Sequence, residues 1–272
     1  MSTAPKAKVF RAPWEYDVPP FHIVDNLYYV GNESVSVHLF DTGEGLLLLD
    51  TAYGETAYLL LESIRELGFD PHDIRWILHS HAHIDHYGAT RYLAEKYGCK
   101  TYMPTADFFM LEDADWSWCT PFNMKYEPPY DYYFKPDVGV NPGDVLKFGN
   151  VTVTAYSAAG HTPGTMAYIF DLPGGLKAGM HGGIGINTLQ GAYCRRKGTG
   201  SAWRDAYWAS LDRLEGLKVD VVLGNHPNQS HTFEKLAART PEKNTFIDPT
   251  EWDRFLAETR KWAQERLEND PI

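Results

Sequence analysis

The sequence predicts a layered α/β fold, and three observations support this prediction. Short runs of apolar, β-branched and aromatic residues alternate with segments that have helical periodicity. Asn, Asp and Gly separate the short runs, as is usual in hairpins and meanders. The two halves of the chain also repeat one order, in which several strands precede a helix, another strand and a loop rich in candidate ligands. Strands that alternate with helices are typical of sheets covered by helices.

The first half contains an arm, a set of strands and two helices. We separate a proline-rich N-terminal arm, residues 1–20, from a single domain over residues 21–272. The predicted strands of this half are Phe21–Val24, Leu27–Val30, Val35–Phe40, Leu46–Asp50, Ile74–Leu78 and Lys100–Met103. Leu60, Ile64 and Leu67 recur at helical spacing, and Gly68 suits the position just past a helix end. Residues 79–88 are predicted to form a loop, and residues 89–97 a second helix.

Residues 107–137 differ in composition from the rest of the chain. They contain ten aromatic residues and four prolines. The prolines argue against a continuous helix, and the aromatic residues argue against a disordered linker, so we expect a long ordered loop inserted into the domain. This aromatic loop would suit a lid over an apolar substrate. Packing against the C-terminal helix or a second subunit explains it equally well, which leaves a homodimer open.

The second half resumes the β pattern and ends in a helix. Its predicted strands are Val145–Phe148, Val151–Tyr156, Met166–Phe170, Leu176–Met180 and Val219–Leu223. Helices are expected at Trp203–Leu214, Phe233–Ala238 and 250–268. In the last of these, Trp252, Leu256 and Ala263 share one face.

The composition excludes several classes of function. The 272 residues include 25 basic and 36 acidic residues, a formal charge of −11 that argues against nucleic acid or an anionic membrane as partner. The apolar runs outside the N-terminal arm, such as Leu46–Leu49, are far too short to span a bilayer. No signal-cleavage pattern is present in the given chain, so we expect a cytoplasmic protein with a small-molecule substrate. Three scattered cysteines cannot form a disulfide framework.

The run from His79 to His86 holds four histidines and one aspartate directly after an apolar strand. Neutral imidazole is the commonest protein ligand of transition metals, and a neighbouring carboxylate adds negative charge. His81 and His83 lie two residues apart, so both would project to one side of an extended segment. Asp85 and His86 would point away from that pair, toward a second metal. The alternative is a solvated histidine-rich loop.

Two further histidines have matching surroundings. His161 lies in the string Ala159-Gly160-His161-Thr162-Pro163-Gly164, and His226 lies in Gly224-Asn225-His226-Pro227; each string follows an apolar strand. Either histidine alone would suit a structural turn. Together with the cluster they complete two sites with three ligands each.

These motifs resemble the metallo-β-lactamase fold superfamily. The string His81-x-His83-x-Asp85-His86 is followed by the Gly160–Gly164 motif, as in that family. Further segments in family order are Ala12–Trp14, Leu48–Asp50, Ile77–His81, Gly164–Ala167 and His226–Pro227. The resemblance implies an αββα sandwich, whereas the residues alone fit a doubly wound sheet as well. The resemblance is greatest with the third subclass of class B β-lactamases. These enzymes lack the carboxylate that bridges the two metals in many other members, and the corresponding stretch here, Ala178–Gly183, contains no acid.

The resemblance also implies a set of ligands. His81, His83 and His161 would bind one zinc ion, and Asp85, His86 and His226 a second. Asp50 would brace the ligand loop without touching metal, or alternatively cap a turn. A hydroxide shared by the two ions would attack a carbonyl-centred bond in a β-lactam, another amide, a lactone or an ester. Asp85 would orient that hydroxide, which makes it a catalytic residue as well as a ligand.

Four residues are candidates for substrate contacts. The serines that help to hold the β-lactam carboxylate in the family are replaced here by His181, Gly182 and Gly183. His181 would face the substrate, bind metal or play a structural role. Arg195 and Arg196 would receive a substrate carboxylate or form a solvated turn, and Tyr87 follows the ligand cluster directly.

Three other functions compete with a dinuclear zinc β-lactamase. The first is a metabolic member of the same family, such as a lactonase or a thioesterase. The second is an iron-dependent thiol dioxygenase, which is less favoured because such enzymes usually keep an acidic bridge. The third is a non-catalytic binding module, against which the complete set of six ligands argues.

Overall fold

The computed structural model describes residue 9, residues 11–117 and residues 131–272. Residues 1–8, 10 and 118–130 lie outside the described residues. The last of these ranges includes Cys119 and part of the predicted aromatic loop. Within the described ranges the chain forms two β-sheets with helices on their outer faces.

The first sheet contains strands β1 to β7, which lie side by side in chain order. Their bounds are Phe21–Val24, Leu27–Tyr29, His38–Asp41, Leu46–Leu49, Ile74–Leu78, Lys100–Pro104 and Val138–Val140. Neighbours from β1 to β4 pair antiparallel, whereas β4, β5, β6 and β7 pair in parallel. Parallel neighbours need crossover connections, and helices occupy the crossovers between β4 and β6.

The second sheet contains strands β8 to β12 in the spatial order β12-β11-β10-β9-β8. Their bounds are Val145–Phe148, Val151–Ser157, Met166–Asp171, Lys177–His181 and Val221–Gly224. All neighbours pair antiparallel except β11 and β12, which are parallel.

The helices surround these sheets. In the described ranges α1 to α9 are Ala57–Glu66, Ile84–Tyr87, Thr90–Tyr97, Phe108–Glu112, Ala114–Ser117, Gly191–Lys197, Ala202–Leu214, Thr232–Ala238 and Glu251–Leu267. Short 3-10 helices are Pro13–Tyr16, Gly54–Thr56, Pro71–Asp73, Thr105–Asp107 and Asn187–Leu189. A search of the described helices finds none with the length and apolar character to cross a bilayer.

Strand β4 shows how the sequence builds the layers. Leu47 and Leu49 pack into the core between the sheets, while Leu46 and Leu48 pack into the core beneath α1. Successive side chains of a strand point to opposite faces, so a run of four leucines suits a strand that is covered on both sides. A third core lies between the second sheet and helices α7 and α9. The predicted αββα sandwich is therefore confirmed.

The structure adds strand β7, which was not predicted, and differs from the predicted elements in three further places. The loop predicted over 79–88 contains the one-turn helix α2. The described start of the aromatic loop is helical, in α4 and α5, because no proline lies between residues 105 and 117. The basic run that ends at Lys197 is the last turn of α6, which ends at Gly198 with φ of 68°. Basic side chains near the carboxyl end of a helix interact favourably with the helix dipole. A helix of seven residues has too little periodicity to be predicted from the sequence.

Candidate metal centre

The candidate ligands follow the ends of strands from both sheets. Strands β4 and β5 are parallel, so Asp50 and His79 lie at the same edge of the first sheet. His81 and His83 follow β5, and α2 then carries Asp85 and His86. The second sheet contributes His161 from the connection between β9 and β10 and His226 from just after β12. The structure thus brings together all six residues predicted as ligands.

His81, His83 and His161 form the first group. The Nδ1 atom of His83 lies 2.9 Å from the Nε2 atom of His81 and 2.9 Å from the Nε2 atom of His161. All three side chains are buried, and burial lowers the pKa of His161 to about 4 and that of His81 well below its usual range. Neighbouring histidines lower the pKa of His81 further. These effects favour neutral imidazoles, the form that binds metal.

Hydrogen bonds at the outer nitrogens fix how two of these rings are protonated. His161 Nδ1 lies 2.7 Å from the carbonyl oxygen of Gly185, which can only accept, so Nδ1 carries the proton. Ser80 donates its single hydroxyl proton to Asp50 and therefore accepts from His81 Nδ1 at 3.0 Å. In both rings the Nε2 lone pair is left to face His83.

This arrangement fits a metal ion. Lone pairs of His81 and His161 approach the same atom of His83 at hydrogen-bond distance, and one proton on that atom would satisfy only one of them. A cation placed among the three nitrogens satisfies all of them. Three imidazoles that converge in this way match the ligand chemistry of zinc.

Asp85, His86 and His226 form the second group. Asp85 Oδ2 lies 3.9 Å from His86 Nε2 and 3.7 Å from His226 Nε2. His226 donates from Nδ1 to the carbonyl of Ser34 at 2.7 Å, so its Nε2 lone pair also points inward. The rings of His81 and His86 are 4.4 Å apart at their centroids. The two groups are adjacent, as a dinuclear centre requires.

Asp50 connects the two groups. Its carboxylate accepts hydrogen bonds from the backbone N–H of Ser80 at 2.8 Å, from the Ser80 hydroxyl at 2.7 Å and from His86 Nδ1 at 2.9 Å. It thereby orients His86 directly and His81 through Ser80. Asp50 adopts φ of 62°, a left-handed conformation that is uncommon for residues other than glycine. Its contacts match the bracing role that the sequence resemblance implied.

A second buried carboxylate, Asp107, joins the loops that carry the first group. It accepts hydrogen bonds from the backbone N–H groups of Ala82 at 3.0 Å and Gly164 at 2.6 Å, and from the Thr162 hydroxyl at 2.7 Å. Burial raises the pKa of Asp107 to about 6. Asp107 is not among the residues predicted from the sequence, because a single aspartate at the start of an aromatic segment gives no local signal.

His79 is structural. Its Nδ1 donates to the carbonyl of Tyr102 at 2.7 Å, and its Nε2 bonds the Thr90 hydroxyl at 2.7 Å. Both ring nitrogens are therefore used away from the metal-binding groups.

A cavity of about 1090 Å³ opens beside the two groups. Four of the six candidate ligands line it: His83, Asp85, His161 and His226. The other described wall residues are Tyr16, Glu33, Ser34, Tyr53, Gly183, Ile184, Gly185, Asn187, Asn225, Asn228, Gln229, Phe255, Glu258, Thr259 and Trp262. A pocket that reaches the candidate ligands can bring a small molecule to them.

The four candidate substrate contacts do not line this cavity. His181 is fully buried, accepts a hydrogen bond from the Gly183 backbone N–H at 3.3 Å and belongs to neither metal-binding group. Tyr87 is buried against Phe134. Arg195 donates to the Pro271 carbonyl, and Arg196 pairs with Asp115 at 3.4 Å. The two arginines therefore have acceptors at the surface and lie outside the cavity wall.

Comparisons with known proteins agree with this geometry. The subclass B3 metallo-β-lactamase of Bradyrhizobium japonicum is 27% identical with a TM-score of 0.84, and the match covers 96% of this chain and 97% of that chain. A metallo-β-lactamase of Cronobacter sakazakii is 26% identical with a TM-score of 0.78, covering 94% and 96%. These similarities extend over nearly the whole chain.

Similarity to curated relatives covers less. A hydroxyacylglutathione hydrolase of Bradyrhizobium sp. (strain BTAi1) is 28% identical over 183 residues, which are 66% of this chain and 60% of that relative. An uncharacterised protein of Aquifex aeolicus is 31% identical over 111 residues, 41% of this chain and 48% of that protein. The chain thus spans less than two thirds of the length of these relatives.

The family model described as the metallo-β-lactamase superfamily matches residues 30–226. Because that match covers more than half of the sequence and includes all six candidate ligands, the chain belongs to the metallo-β-lactamase superfamily.

Proposed function

We propose that this protein is a dinuclear zinc hydrolase that opens a carbonyl-centred bond in a β-lactam or a related amide, lactone or ester. The observation that carries the proposal is the convergence of two groups of three ligands beside one cavity. Solved structures with the same fold are named as metallo-β-lactamases, which are hydrolases of this kind. The chemistry of the donors, five imidazoles and one carboxylate, favours zinc over magnesium or calcium.

The residues of this chain would bind the ions and orient what they activate. His81, His83 and His161 would hold one ion, and Asp85, His86 and His226 the other. Two bound zinc ions would supply Lewis acidity and lower the pKa of bound water toward about 7. Because Asp85 is the one anionic ligand, the two sites differ in charge.

Asp85 has a further role in this proposal. Its carboxylate lies at the cavity wall, with only 5% of the residue exposed, and its Oδ2 atom is 3.9 Å from His86 Nε2 and 3.7 Å from His226 Nε2. From there it can accept a hydrogen bond from an attacking water and direct the oxygen lone pair toward a substrate carbonyl. Asp50 and Asp107 act indirectly, because their hydrogen bonds hold the ligands in place before substrate arrives.

A hydrolysis panel tests the proposal. Zinc-loaded protein is assayed with a carbapenem, a cephalosporin, acyl-homoserine lactones, thioesters and simple aryl esters. We expect turnover of at least one class, loss of that turnover in His83→Ala and retention in His72→Ala, which removes an exposed histidine outside the site. Full turnover in His83→Ala with unchanged zinc content would refute the assignment.

The panel also separates two substrate classes. The hydrolase relative from Bradyrhizobium is named for a thioester substrate, hydroxyacylglutathione, which makes a thioesterase the second candidate. Thioester turnover without β-lactam turnover would favour the metabolic function, and the reverse result would favour the β-lactamase.

A further inference from the structure

The wall of the cavity carries an unusual balance of charge. None of its described residues is a lysine or an arginine, whereas three are acids: Glu33, Asp85 and Glu258. Asp85 belongs to the metal-binding groups. Glu33 and Glu258 are therefore the two charged side chains of the described wall that are left to face the remainder of a substrate.

Both glutamates are available to a ligand. Glu33 lies in the connection between β2 and β3, where its backbone N–H donates to the backbone carbonyl of Tyr16 at 2.9 Å. Glu258 lies on α9. Both residues are exposed, and neither side chain forms an ion pair within the described ranges. Two separate segments thus contribute a carboxylate without a salt-bridge partner to one cavity, although the charge of Arg254, one helical turn before Glu258, acts on Glu258 from a longer distance.

Two arginines on α9 near Glu258 have other partners. Arg254 pairs with Asp248 at 3.0 Å, and Arg266 stacks on the ring of Trp262 at 4.9 Å. Neither arginine lines the cavity. The overall formal charge of −11 adds to the negative potential at this surface.

Aromatic side chains accompany the acids. Tyr16, Tyr53, Phe255 and Trp262 line the same cavity. Trp262 lies one helical turn after Glu258 on α9, and its ring already attracts one cation, the guanidinium of Arg266 at 4.9 Å. Aromatic faces attract ammonium groups through the ring quadrupole, and a carboxylate nearby adds direct Coulomb attraction. Aromatic rings and carboxylates together favour a cation over an anion.

We propose that this cavity selects substrates by charge, with Glu33 and Glu258 as specificity-determining residues. Substrates with a cationic group remote from the scissile carbonyl should react best, neutral ones less well, and those with a carboxylate there worst. The inference rests on the proposed function. It concerns only the remote part of the substrate, since metal ions bound by the six ligands would attract negative charge at the carbonyl itself.

Three aryl esters test the proposal. They are 3-(trimethylammonio)phenyl acetate, 3-tert-butylphenyl acetate and 3-carboxyphenyl acetate, which carry a cationic, a neutral and an anionic substituent at the same ring position. The first two substituents have the same shape, and comparison with spontaneous hydrolysis corrects for the effect of each substituent on the phenol leaving group. Water cleaves the acyl C–O bond of each, and the products are acetate and the corresponding phenol. We compare kcat/KM of the zinc-loaded protein with the rate of spontaneous hydrolysis of each ester. This ratio should be highest for the cationic ester, lower for the neutral ester and lowest for the anionic ester.

Substitutions of the two glutamates link this order to the residues. Glu33→Gln and Glu258→Gln keep the side-chain shape and remove the charge. Each should reduce the cation-to-carboxylate ratio of kcat/KM by roughly twofold to tenfold, with a larger reduction in the double variant. Glu268→Gln, just past the end of α9 and outside the cavity wall, is the matched control and should leave the ratio unchanged.

Ionic strength provides a second test. A charge effect is screened by salt, whereas a steric preference is not. The ratio should therefore decrease between about 0.02 M and about 0.5 M NaCl in the wild type and change little in the double variant.

A binding measurement separates failure of this inference from failure of the proposed function. Phenyltrimethylammonium is not a metal ligand, so calorimetric titration of the zinc-loaded protein measures the cavity wall without hydrolysis. We expect weaker binding to the double variant by roughly threefold or more. Hydrolysis of all three esters without charge preference would overturn the inference alone. Absence of ester, thioester and β-lactam hydrolysis would overturn the proposed function. The binding measurement still tests the inference in that case, because equal binding of phenyltrimethylammonium by the wild type and the double variant would overturn it.

Discussion

Asp107 accepts a hydrogen bond from the hydroxyl of Thr162 at 2.7 Å and thereby joins the two ligand loops of the first metal-binding group. The same oxygen accepts from the backbone of Ala82, which lies between His81 and His83. Thr162 directly follows His161. One buried carboxylate thus sets the spacing of three imidazoles that come from distant parts of the chain.

Replacement of Asp107 by asparagine should weaken this spacing. An amide nitrogen cannot accept from Ala82, Gly164 or Thr162, so at least one donor loses its partner. We expect zinc affinity of the first group to fall about 10- to 100-fold. Competition with a chelator of known affinity measures this loss. The control is Glu112→Gln, an exposed acid on α4; equal affinity in the Asp107 variant and the control would contradict the prediction.

Replacement of Asp50 by asparagine should affect both groups. Oδ2 of Asp50 accepts from His86 Nδ1 and from the Ser80 hydroxyl that bonds His81, and Oδ1 accepts from the Ser80 backbone N–H. An amide nitrogen in place of either oxygen faces a donor, and in place of Oδ2 it misorients a ligand of each group. We expect an affinity loss of about 10-fold or more for both ions. Two-step metal titration distinguishes this result from that of the Asp107 variant, where only one step should weaken. If the Asp50 variant, like the Asp107 variant, weakened only one of the two binding steps, Asp50 would not couple the two groups.

Replacement of Gly183 by serine should damage the site rather than create a carboxylate contact. A Cβ atom at this position would lie 2.6 Å from Cδ2 of His161. The imidazole must shift, which disturbs the first group. We expect reduced zinc content in Gly183→Ser and equally in Gly183→Ala, because the Cβ atom causes the conflict. Improved turnover of a carboxylate-bearing β-lactam in Gly183→Ser would disprove this account.

His38 should make the stability of the fold depend on pH. It is fully buried, and burial lowers its pKa from 6.5 to about 4. The unfolded chain therefore binds a proton between pH 6.5 and 4 that the folded chain does not, so stability is present above pH 6.5 and is lost as the pH falls. His38→Phe removes this dependence and keeps a ring against Tyr29.

Urea unfolding of metal-free protein at about pH 7.5 and about pH 5 measures the effect without release of metal from the ligand histidines. We expect the wild type to lose about 2 kcal/mol more than His38→Phe over this interval. Identical losses would indicate that His38 titrates normally in the folded protein.

The ligands were predictable because their signal is local. His81, His83, Asp85 and His86 lie within six consecutive residues, and His161 and His226 each follow an apolar strand, so residue type and position carry the inference. The layers were predictable for a similar reason, since runs such as Leu46–Leu49 indicate strands covered on both faces.

The supporting residues were not predictable, because they depend on tertiary packing. Asp107 lies 25 residues from Ala82 and 57 from Gly164, and nothing in the intervening sequence indicates that they meet. Glu33 and Glu258 reach one cavity from opposite ends of the chain. The surroundings of Arg195 and Arg196 were likewise not predictable, since α6 directs both side chains to partners far away in the sequence, the Pro271 carbonyl and Asp115.

Metal stoichiometry tests the central claim most directly. We predict that protein purified without chelator and saturated with zinc binds two ions per chain, measured by native mass spectrometry. Each of His83→Ala and His226→Ala should reduce the count toward one, because each removes a ligand from a different group. His72→Ala should retain both ions. A wild type that binds no zinc, or single variants that both keep two ions, would contradict the assignment of a dinuclear site to these six residues.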